Sequence, residues 1–241
     1  MKKIIIMGAT SGIGRETAFQ YISDGWTVGI AGRRAESLQR ICQVAPDRIH
    51  AKVIDVCADD APLRLQELID EMGGMDVYLH SSGIGFQNPT LDEGTELDTL
   101  RTNGDGFTRM VAAAFNYFKT CPQGGHIAVI SSVAGTKGLG IAPAYSATKR
   151  FQRHYIQALS QLAHIKKLPI TFTDIRPGFV ATELLKSRKF PMLMQPGDVA
   201  RHIFCGVNSR KRVLTIDWRY RILVALWRLI PDGLWERMRI S

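Results

Sequence analysis

Short aliphatic runs alternate with longer segments of helical character along most of this chain, and this alternation constrains the fold more than any other feature. Strands are predicted at residues 3–7, 27–31, 50–56, 76–80, 126–131 and 169–176, and helices at 13–23, 62–72, 103–119 and 145–164. Repeated strand–helix units are typical of a parallel, doubly wound α/β sheet of the Rossmann type. The chain has 241 residues, 45% of them hydrophobic, which is enough for one large core, so we expect a single domain.

A glycine-rich turn follows the first predicted strand. It contains Gly8, Gly12 and Gly14, with Thr10 and Ser11 between them. Such a turn lets backbone N–H groups approach a pyrophosphate, and the start of the next helix adds positive potential. The spacing differs from GxGxxG, and a glycine turn after a strand is also a common structural element. Its place at the start of an alternating chain favours a nucleotide site.

The second predicted strand leads into Arg33 and Arg34, where a site for NAD usually carries Asp or Glu. An acid there would bind the ribose 2′-hydroxyl and repel a 2′-phosphate, whereas guanidinium groups pair with phosphate. The nearest acids are Asp24 and Glu36. The arginines therefore favour NADP(H) over NAD(H), the alternative being an ordinary solvated start of a helix.

Tyr145 and Lys149 are four residues apart in a predicted helix, so their side chains share one face. A cation about 5 Å from a phenol lowers its pKa by roughly 2 units from about 10, before screening. Tyr145 would then serve as an acid or base. The same spacing also fits a buried ring beside a solvated charge. Ser132, thirteen positions before Tyr145, favours the catalytic interpretation.

Together these motifs resemble the short-chain dehydrogenase/reductase family over roughly residues 3–208. The matching pieces are the glycine turn, Asp55, Val56, Asn103, Ser132, Tyr145, Lys149 and the segment 176–182. The resemblance implies hydride transfer between a nicotinamide cofactor and a carbonyl or alcohol carbon.

The resemblance also implies a role for each residue of the site. Tyr145 would donate a proton to the carbonyl oxygen, Ser132 would hydrogen-bond that oxygen, and Lys149 would lower the pKa of the phenol and bind the nicotinamide ribose. Asn103 would support a water that links Lys149 to solvent, and Thr182 would lie near the carboxamide. The implied cofactor-binding residues are Gly8, Thr10, Ser11, Gly12, Ile13, Gly14, Arg33, Arg34, Asp55, Val56, Gly83, Tyr145, Lys149, Pro177, Gly178, Val180 and Thr182.

Several of these residues have a structural alternative. Ser131 is adjacent to Ser132, and the family spacing to the tyrosine favours the second serine. Asn103 would otherwise cap or bend its helix, Asp55 would cap a turn, and Thr182 would cap the segment that follows it.

One segment departs from the family pattern. After the fourth strand the family usually carries Asn-Asn-Ala-Gly, whereas this chain has His80, Ser81, Ser82 and Gly83. The glycine and the small serines still allow a cofactor to approach the backbone, while loss of the Asn side chain weakens local contacts. We interpret His80 as a strand-end residue rather than a catalyst.

The loop at about 178–196 and the stretch before Tyr145 are expected to select the substrate. Their apolar residues are Phe179, Val180, Leu184, Leu185, Phe190, Met192, Leu193, Met194, Leu139 and Ile141. A lid of this composition suits a hydrophobic ketone or aldehyde, or the corresponding alcohol. Alternatively, these side chains fill core or subunit contacts.

Residues 209–241 form a basic extension to the domain predicted at 1–208. They carry eight Arg or Lys against three Asp or Glu, and three of the four tryptophans. Apolar residues recur between arginines at helical spacing, as in an interfacial membrane helix. We favour packing on the domain or on a second subunit, since the family commonly forms homodimers or homotetramers. No nucleic-acid-binding motif accompanies the basic residues.

The remaining features concern metals and location. The four cysteines form no CxxC pair, which indicates reduced thiols, and the histidines lack metal-ligand spacing, so no metal is expected. Because the sequence contains no signal peptide and no long apolar span, we expect a cytoplasmic protein. The alternative is a peripheral location at the inner membrane surface, with contact through the basic extension.

The sequence thus predicts an NADP(H)-dependent reductase of hydrophobic carbonyl compounds. A non-catalytic nucleotide-sensing or scaffold protein on the same fold is the alternative. The complete set of Asn103, Ser132, Tyr145 and Lys149 favours the enzyme.

Overall fold

A single parallel sheet organises the chain. The computed structural model describes residues 2–185 and 190–239, and its seven strands lie in the order β3-β2-β1-β4-β5-β6-β7. The strands are β1 Lys3–Met7, β2 Thr27–Gly32, β3 Ile49–Val53, β4 Val77–His80, β5 Gly125–Ile130, β6 Ile170–Arg176 and β7 Val213–Thr215. This topology confirms the predicted doubly wound α/β fold.

Helices cover both faces of the sheet. They are α1 Gly12–Ser23, α2 Ala35–Cys42, α3 Ala61–Glu71, α4 Glu93–Leu100, α5 Phe107–Thr120, α6 Pro143–Ile165, α7 Pro196–Asn208, α8 Trp218–Leu229 and α9 Asp232–Trp235. Successive strand residues point to opposite faces. Ile4 and Ile6 therefore pack with α1, α2, α7 and α8, while Ile5 and Met7 pack with α3, α5 and α6.

The sheet order also places the binding crevice. The strands after β1 first add on one side of it, as β2 and β3, and then on the other, beginning with β4. Ligands of such sheets bind beyond the carboxyl ends of the strands where the order reverses. The residues after β1, β4, β5 and β6 therefore meet at one edge.

Two predicted elements differ from the observed ones. β3 ends at Val53 rather than at residue 56, because the Asp55 carboxylate accepts a hydrogen bond from the Cys57 amide at 3.0 Å and forms a turn. The helix predicted to begin at residue 103 begins instead as a π-helix, Arg101–Gly106, which continues into α5.

The segment after residue 208 contributes to the domain itself. β7 extends the sheet by pairing with β6. On α8, Tyr220 and Val224 are buried in the core, and the Tyr220 hydroxyl accepts a hydrogen bond from Phe179 N at 3.0 Å. Gly178 is required there, because an added Cβ would lie 2.0 Å from the Tyr220 ring. The outer stripe of α8 stays exposed at Trp218, Ile222, Leu226 and Leu229.

Membrane-spanning helices and metal-binding clusters are both absent from the described part of the chain. Between residues 2 and 185 and between 190 and 239, no helix combines the length and apolar character that membrane crossing requires. The same ranges contain no group of three or more His, Cys, Asp or Glu side chains arranged to hold a metal ion.

Candidate active site

The glycine turn brings the backbone of β1 against the loop after β4. Gly8 has a φ of +93°, and a Cβ at this position would lie 2.6 Å from Ser82 N. A Cβ on Gly14 would lie 2.2 Å from Gly8 O. Glycine is therefore required at both positions for this close packing. Ser81 and Ser82 are small enough to keep the approach that the family sequence provides at this point.

Arg34 lies across the glycine turn. Its guanidinium donates to Thr10 Oγ1 at 3.1 Å and to Ser11 Oγ at 2.5 Å, and it pairs with the Glu183 carboxylate at 2.9 Å. This pairing lowers the pKa of Glu183 below its ordinary value. Arg33, beside it, is exposed and makes no hydrogen bond or ion pair with the residues that the structure describes. Two cationic side chains thus stand at the end of β2.

Ser131 and Ser132 have different environments. Ser131 is buried and donates to the Asp174 carboxylate. Ser132 Oγ accepts from Ala134 N at 3.1 Å and donates to Pro177 O at 3.4 Å, and it is close enough to the Tyr145 phenol to lower the pKa of that phenol. The geometry therefore places Ser132, rather than Ser131, beside the phenol.

Lys149 is held near the same phenol. Its ammonium donates to Ile130 O and to Gln152 Oε1, both at 3.0 Å, and lies 5.8 Å from the centre of the Tyr145 ring. Burial lowers the pKa of Lys149 to about 8, while the charge of Asp174 acts in the opposite direction. The ammonium is thus poised to lose its proton just above neutral pH.

The pKa of Tyr145 differs from the expectation that Lys149 would lower it. Burial raises the pKa of Tyr145 above its ordinary value, and the nearby Ser132 hydroxyl offsets part of that rise. The physical reason is that a phenolate would be poorly solvated here, while the Lys149 ammonium already bonds the Ile130 carbonyl and Gln152. Tyr145 is therefore a protonated phenol at neutral pH, the form that donates a proton.

Asn103 connects the loop after β4 to α6. Its side chain accepts from Ile84 N at 2.9 Å, donates to Ile84 O at 2.7 Å and donates to Thr148 Oγ1 at 3.2 Å. The π-helix that contains it is a rare local geometry, found mostly at functional sites. A Cβ on Gly83 would lie 3.1 Å from Asn103 Oδ1 and 3.5 Å from Lys149 Nζ, so Gly83 keeps this corner open.

Gln152 is a site residue that the sequence reasoning overlooked. The Gln152 side chain is fully buried. Its Oε1 accepts a hydrogen bond from Lys149 Nζ, and its Nε2 donates to the backbone carbonyl of Asn103 at 2.9 Å. The Gln152 amide thus connects Lys149 to the backbone of Asn103, the residue that the family resemblance expected to support a water linking Lys149 to solvent. A sequence signal was available, because Gln152 lies three residues after Lys149 and hence on the same helical face.

The other predicted cofactor-binding residues line the same edge. Thr182 lies over the glycine turn, because a Cβ atom added to Gly12 would be 3.1 Å from the Thr182 methyl group. The Pro177 carbonyl oxygen accepts a hydrogen bond at 3.1 Å from the amide of Val133, the residue that follows Ser132. Val56 packs against Gly106 of the π-helix. The Asp55 carboxylate bonds the Cys57 amide, as in the turn-capping alternative.

The loop expected to select the substrate divides into buried and exposed parts. Val180 and Met194 are buried in the core and form a β-bridge, so these two do not belong to a lid. Phe179 and Phe190 stack with ring centres 4.4 Å apart, and Phe179 is 37% exposed. Within the predicted loop, residues 186–189 lie outside the described part of the chain.

Replacing Gln152 tests its influence on Lys149. A carboxylate in Gln152→Glu favours the charged lysine and raises its pKa, whereas Gln152→Leu removes an acceptor and lowers it. Since the pKa of Lys149 is about 8, activity that needs the ammonium falls above that pH. The alkaline limb of kcat/KM should move to higher pH in Q152E and to lower pH in Q152L. Identical limbs in both variants and in the exposed control Gln161→Glu would contradict this role.

Comparison with known proteins agrees with this geometry. A family model described as short chain dehydrogenase matches residues 2–191. The chain belongs to the short-chain dehydrogenase family. It is therefore an oxidoreductase on a fold that binds a nicotinamide cofactor.

Individual proteins extend the similarity over most of the chain. An uncharacterised oxidoreductase of Myxococcus xanthus is 29% identical over 243 residues, which cover 96% of this chain and 94% of that protein. Another, from Listeria monocytogenes, is 33% identical over 193 residues and 77% of each chain. The closed form of serine dehydrogenase complexed with NADP+ has a TM-score of 0.79 at 23% identity and covers 89% of this chain and 94% of its own. This last similarity shows a shared fold.

Proposed function

We propose that the protein is an NADP(H)-dependent reductase that converts a carbonyl group of a hydrophobic small molecule to an alcohol. The observation that carries the proposal is the arrangement of the end of β5 against the start of α6: Ser132 lies beside the Tyr145 phenol, and the Lys149 ammonium is 5.8 Å from the centre of the Tyr145 ring. This group of side chains meets the glycine turn at the carboxyl edge of the sheet, where a dinucleotide fits.

The residues present suit the chemistry that this cofactor supplies. A reduced nicotinamide, when bound, provides the hydride. Ser132 orients the carbonyl oxygen through a hydrogen bond, and Tyr145 donates its proton to the oxygen as negative charge develops there. The Lys149 ammonium stabilises the phenolate that remains, and Gln152 holds the ammonium in position. Because the pKa of Tyr145 is raised, the phenol stays protonated until negative charge develops on the carbonyl oxygen of the substrate.

Preference for NADP(H) follows from the charges at the end of β2. The structure already places an anionic group, the Glu183 carboxylate, on Arg34. A 2′-phosphate would offer the same kind of partner to Arg34 and to the exposed Arg33. No acidic side chain follows β2 directly to repel it.

The substitutions Arg33→Ala and Arg34→Ala test this preference. Loss of a charge-assisted hydrogen bond to the 2′-phosphate should weaken NADPH binding by roughly tenfold or more for each variant. NADH lacks this phosphate, so its dissociation constant should change by less than about threefold. Arg40→Ala, exposed in the last turn of α2, is the matched control and should affect neither cofactor. Equal losses for NADPH and NADH would defeat the assignment.

The hydrophobic substrate class rests on the side chains around the phenol. Gly85 lies against the Tyr145 ring, since a Cβ there would be 2.6 Å from it, and the adjacent Phe86 is 41% exposed. Phe179 and Leu184 are also exposed in the loop after β6. Apolar surface of this kind is stabilised when an apolar ligand covers it.

The proposed reaction is tested by following NADPH consumption with a panel of carbonyl compounds and alcohols. Aliphatic and aromatic ketones should be reduced faster than small polar compounds, and L-serine serves as the polar alcohol in the reverse direction with NADP+. Turnover limited to polar compounds would contradict the substrate class. Tight NADPH binding without turnover of any compound would favour the non-catalytic alternative.

A further inference from the structure

An arginine-lined cavity lies apart from the glycine turn, between α6, β6, β7 and α8. Its volume is about 500 Å³. Its lining residues are Arg150, Arg153, His154, Gln157, Ser160, Asp174, Arg176, Arg212, Val213 and Arg228. Five arginines therefore face a single carboxylate. Such an excess of positive charge in one cavity attracts anions.

The carboxylate is already engaged by two of the arginines. Asp174 is buried and pairs with Arg176 at 2.5 Å, while Arg153 Nε lies 3.7 Å from the same oxygen. Among the described residues, Arg150, Arg212 and Arg228 form no ion pair with any carboxylate. Three guanidinium groups on three different elements are thus free to bind an anion.

Arg153 is a buried hydrogen-bond donor among the residues that line the cavity. Arg153 is 8% exposed, and its Nε has no hydrogen-bond partner within the described part of the chain. The Nη1 group of Arg153 donates a hydrogen bond to Gly135 O at 2.6 Å. Nε lies 3.7 Å from Asp174, too far for a hydrogen bond, so this buried donor keeps the capacity to bond an oxygen of a ligand in the cavity. Burial lowers the pKa of Arg153 to about 10, with the charges of Arg176, Arg150 and Arg228 adding to the effect.

We propose that this cavity is a binding site for an organic phosphate, distinct from the dinucleotide site. Planar guanidinium groups pair with the several oxygens of a phosphate, and a dianion offsets more of the excess charge than a single carboxylate does. The volume leaves room for the group to which the phosphate is attached. The ligand is either a soluble phosphorylated compound or the headgroup of an anionic lipid.

The helix that supplies Arg228 makes the lipid source testable. α8 exposes Trp218, Ile222, Leu226 and Leu229 along one stripe, and Arg228 lies beside that stripe on the cavity side. Apolar side chains next to basic ones are the pattern of helices that lie in a membrane interface. A headgroup in the cavity and this stripe in the lipid would then act together.

The binding test is calorimetric titration of the protein with pyrophosphate in saturating dinucleotide, so that the glycine turn is already filled. We expect saturable binding that is roughly tenfold weaker in the double variant Arg212→Gln/Arg228→Gln. The control Arg201→Gln/Arg221→Gln removes the same charge outside the cavity and should bind like the wild type. Absence of saturable binding, or equal weakening in both double variants, would overturn the proposal.

Vesicle sedimentation separates the two sources. Phosphatidylcholine vesicles containing phosphatidic acid should carry down the wild type and the control but not R212Q/R228Q if the ligand is a headgroup. Pyrophosphate binding without sedimentation assigns the cavity to a soluble phosphate. Sedimentation of R212Q/R228Q equal to that of the wild type would exclude the headgroup from the cavity.

Discussion

Substitution of Tyr145 by phenylalanine is expected to lower kcat by roughly 10²- to 10⁴-fold, the usual contribution of a general acid. The ring stays in its place against Gly85, and the lost atom is the hydroxyl oxygen beside Ser132. Cofactor affinity should change by less than about threefold, because the glycine turn and the end of β2 are untouched. Steady-state rates and NADPH titration of the same preparation measure both effects.

The control for Tyr145→Phe is Tyr155→Phe on the same helix. Tyr155 stacks on Phe151, and burial raises the pKa of its phenol as well. Its loss of a hydroxyl should leave kcat within about twofold of the wild type. If Y145F retained full activity, another group would have to supply the proton, and the assignment of Tyr145 would be wrong.

Asp174→Asn is expected to lower the free energy of unfolding by about 3–5 kcal/mol, the typical cost of breaking a buried ion pair on one side. The carboxylate is 1% exposed, accepts from Ser131 and pairs with Arg176. Its neutralisation leaves the positive charges of the buried Arg153 and the partly buried Arg176 without compensation. Urea unfolding followed by tryptophan fluorescence measures the change.

An exposed ion pair provides the comparison for Asp174→Asn. Asp60 pairs with Arg64 at the start of α3, and both side chains are nearly half exposed. Asp60→Asn should cost less than about 1 kcal/mol, because solvent screens the pair. A similar small loss for Asp174→Asn would show that the cluster around Asp174 does not stabilise the fold.

The parallel sheet could be predicted because its strands are local and strongly patterned. β1, β2 and β5 occur within one or two residues of their predicted positions, and the residues that follow them form the site. The end of β3 was missed because the Asp55 carboxylate competes for the backbone, a choice that aliphatic patterning does not encode. β7 was missed because three residues are too short to show alternation.

The site was predictable to the extent that its residues are neighbours in sequence. Helical spacing places Tyr145 and Lys149 on one face of a helix, and Ser132 is only thirteen positions before Tyr145. The contacts of Gln152 with Asn103 and of Arg34 with Glu183 join positions 49 and 149 residues apart. Such contacts depend on tertiary packing, as does the effect of burial on the pKa of Tyr145. The arginine-lined cavity is likewise assembled from residues between 150 and 228 that share no motif.

We propose that the chain binds NADPH, in preference to NADH, as the cofactor of a carbonyl reduction. A fluorescence titration of the purified protein with NADPH and, in parallel, with NADH tests the cofactor preference directly, because cofactor binding can be measured with no substrate present. We expect saturable binding of NADPH that is at least roughly tenfold tighter than that of NADH. Equal affinity for the two cofactors, or binding of neither, would contradict it.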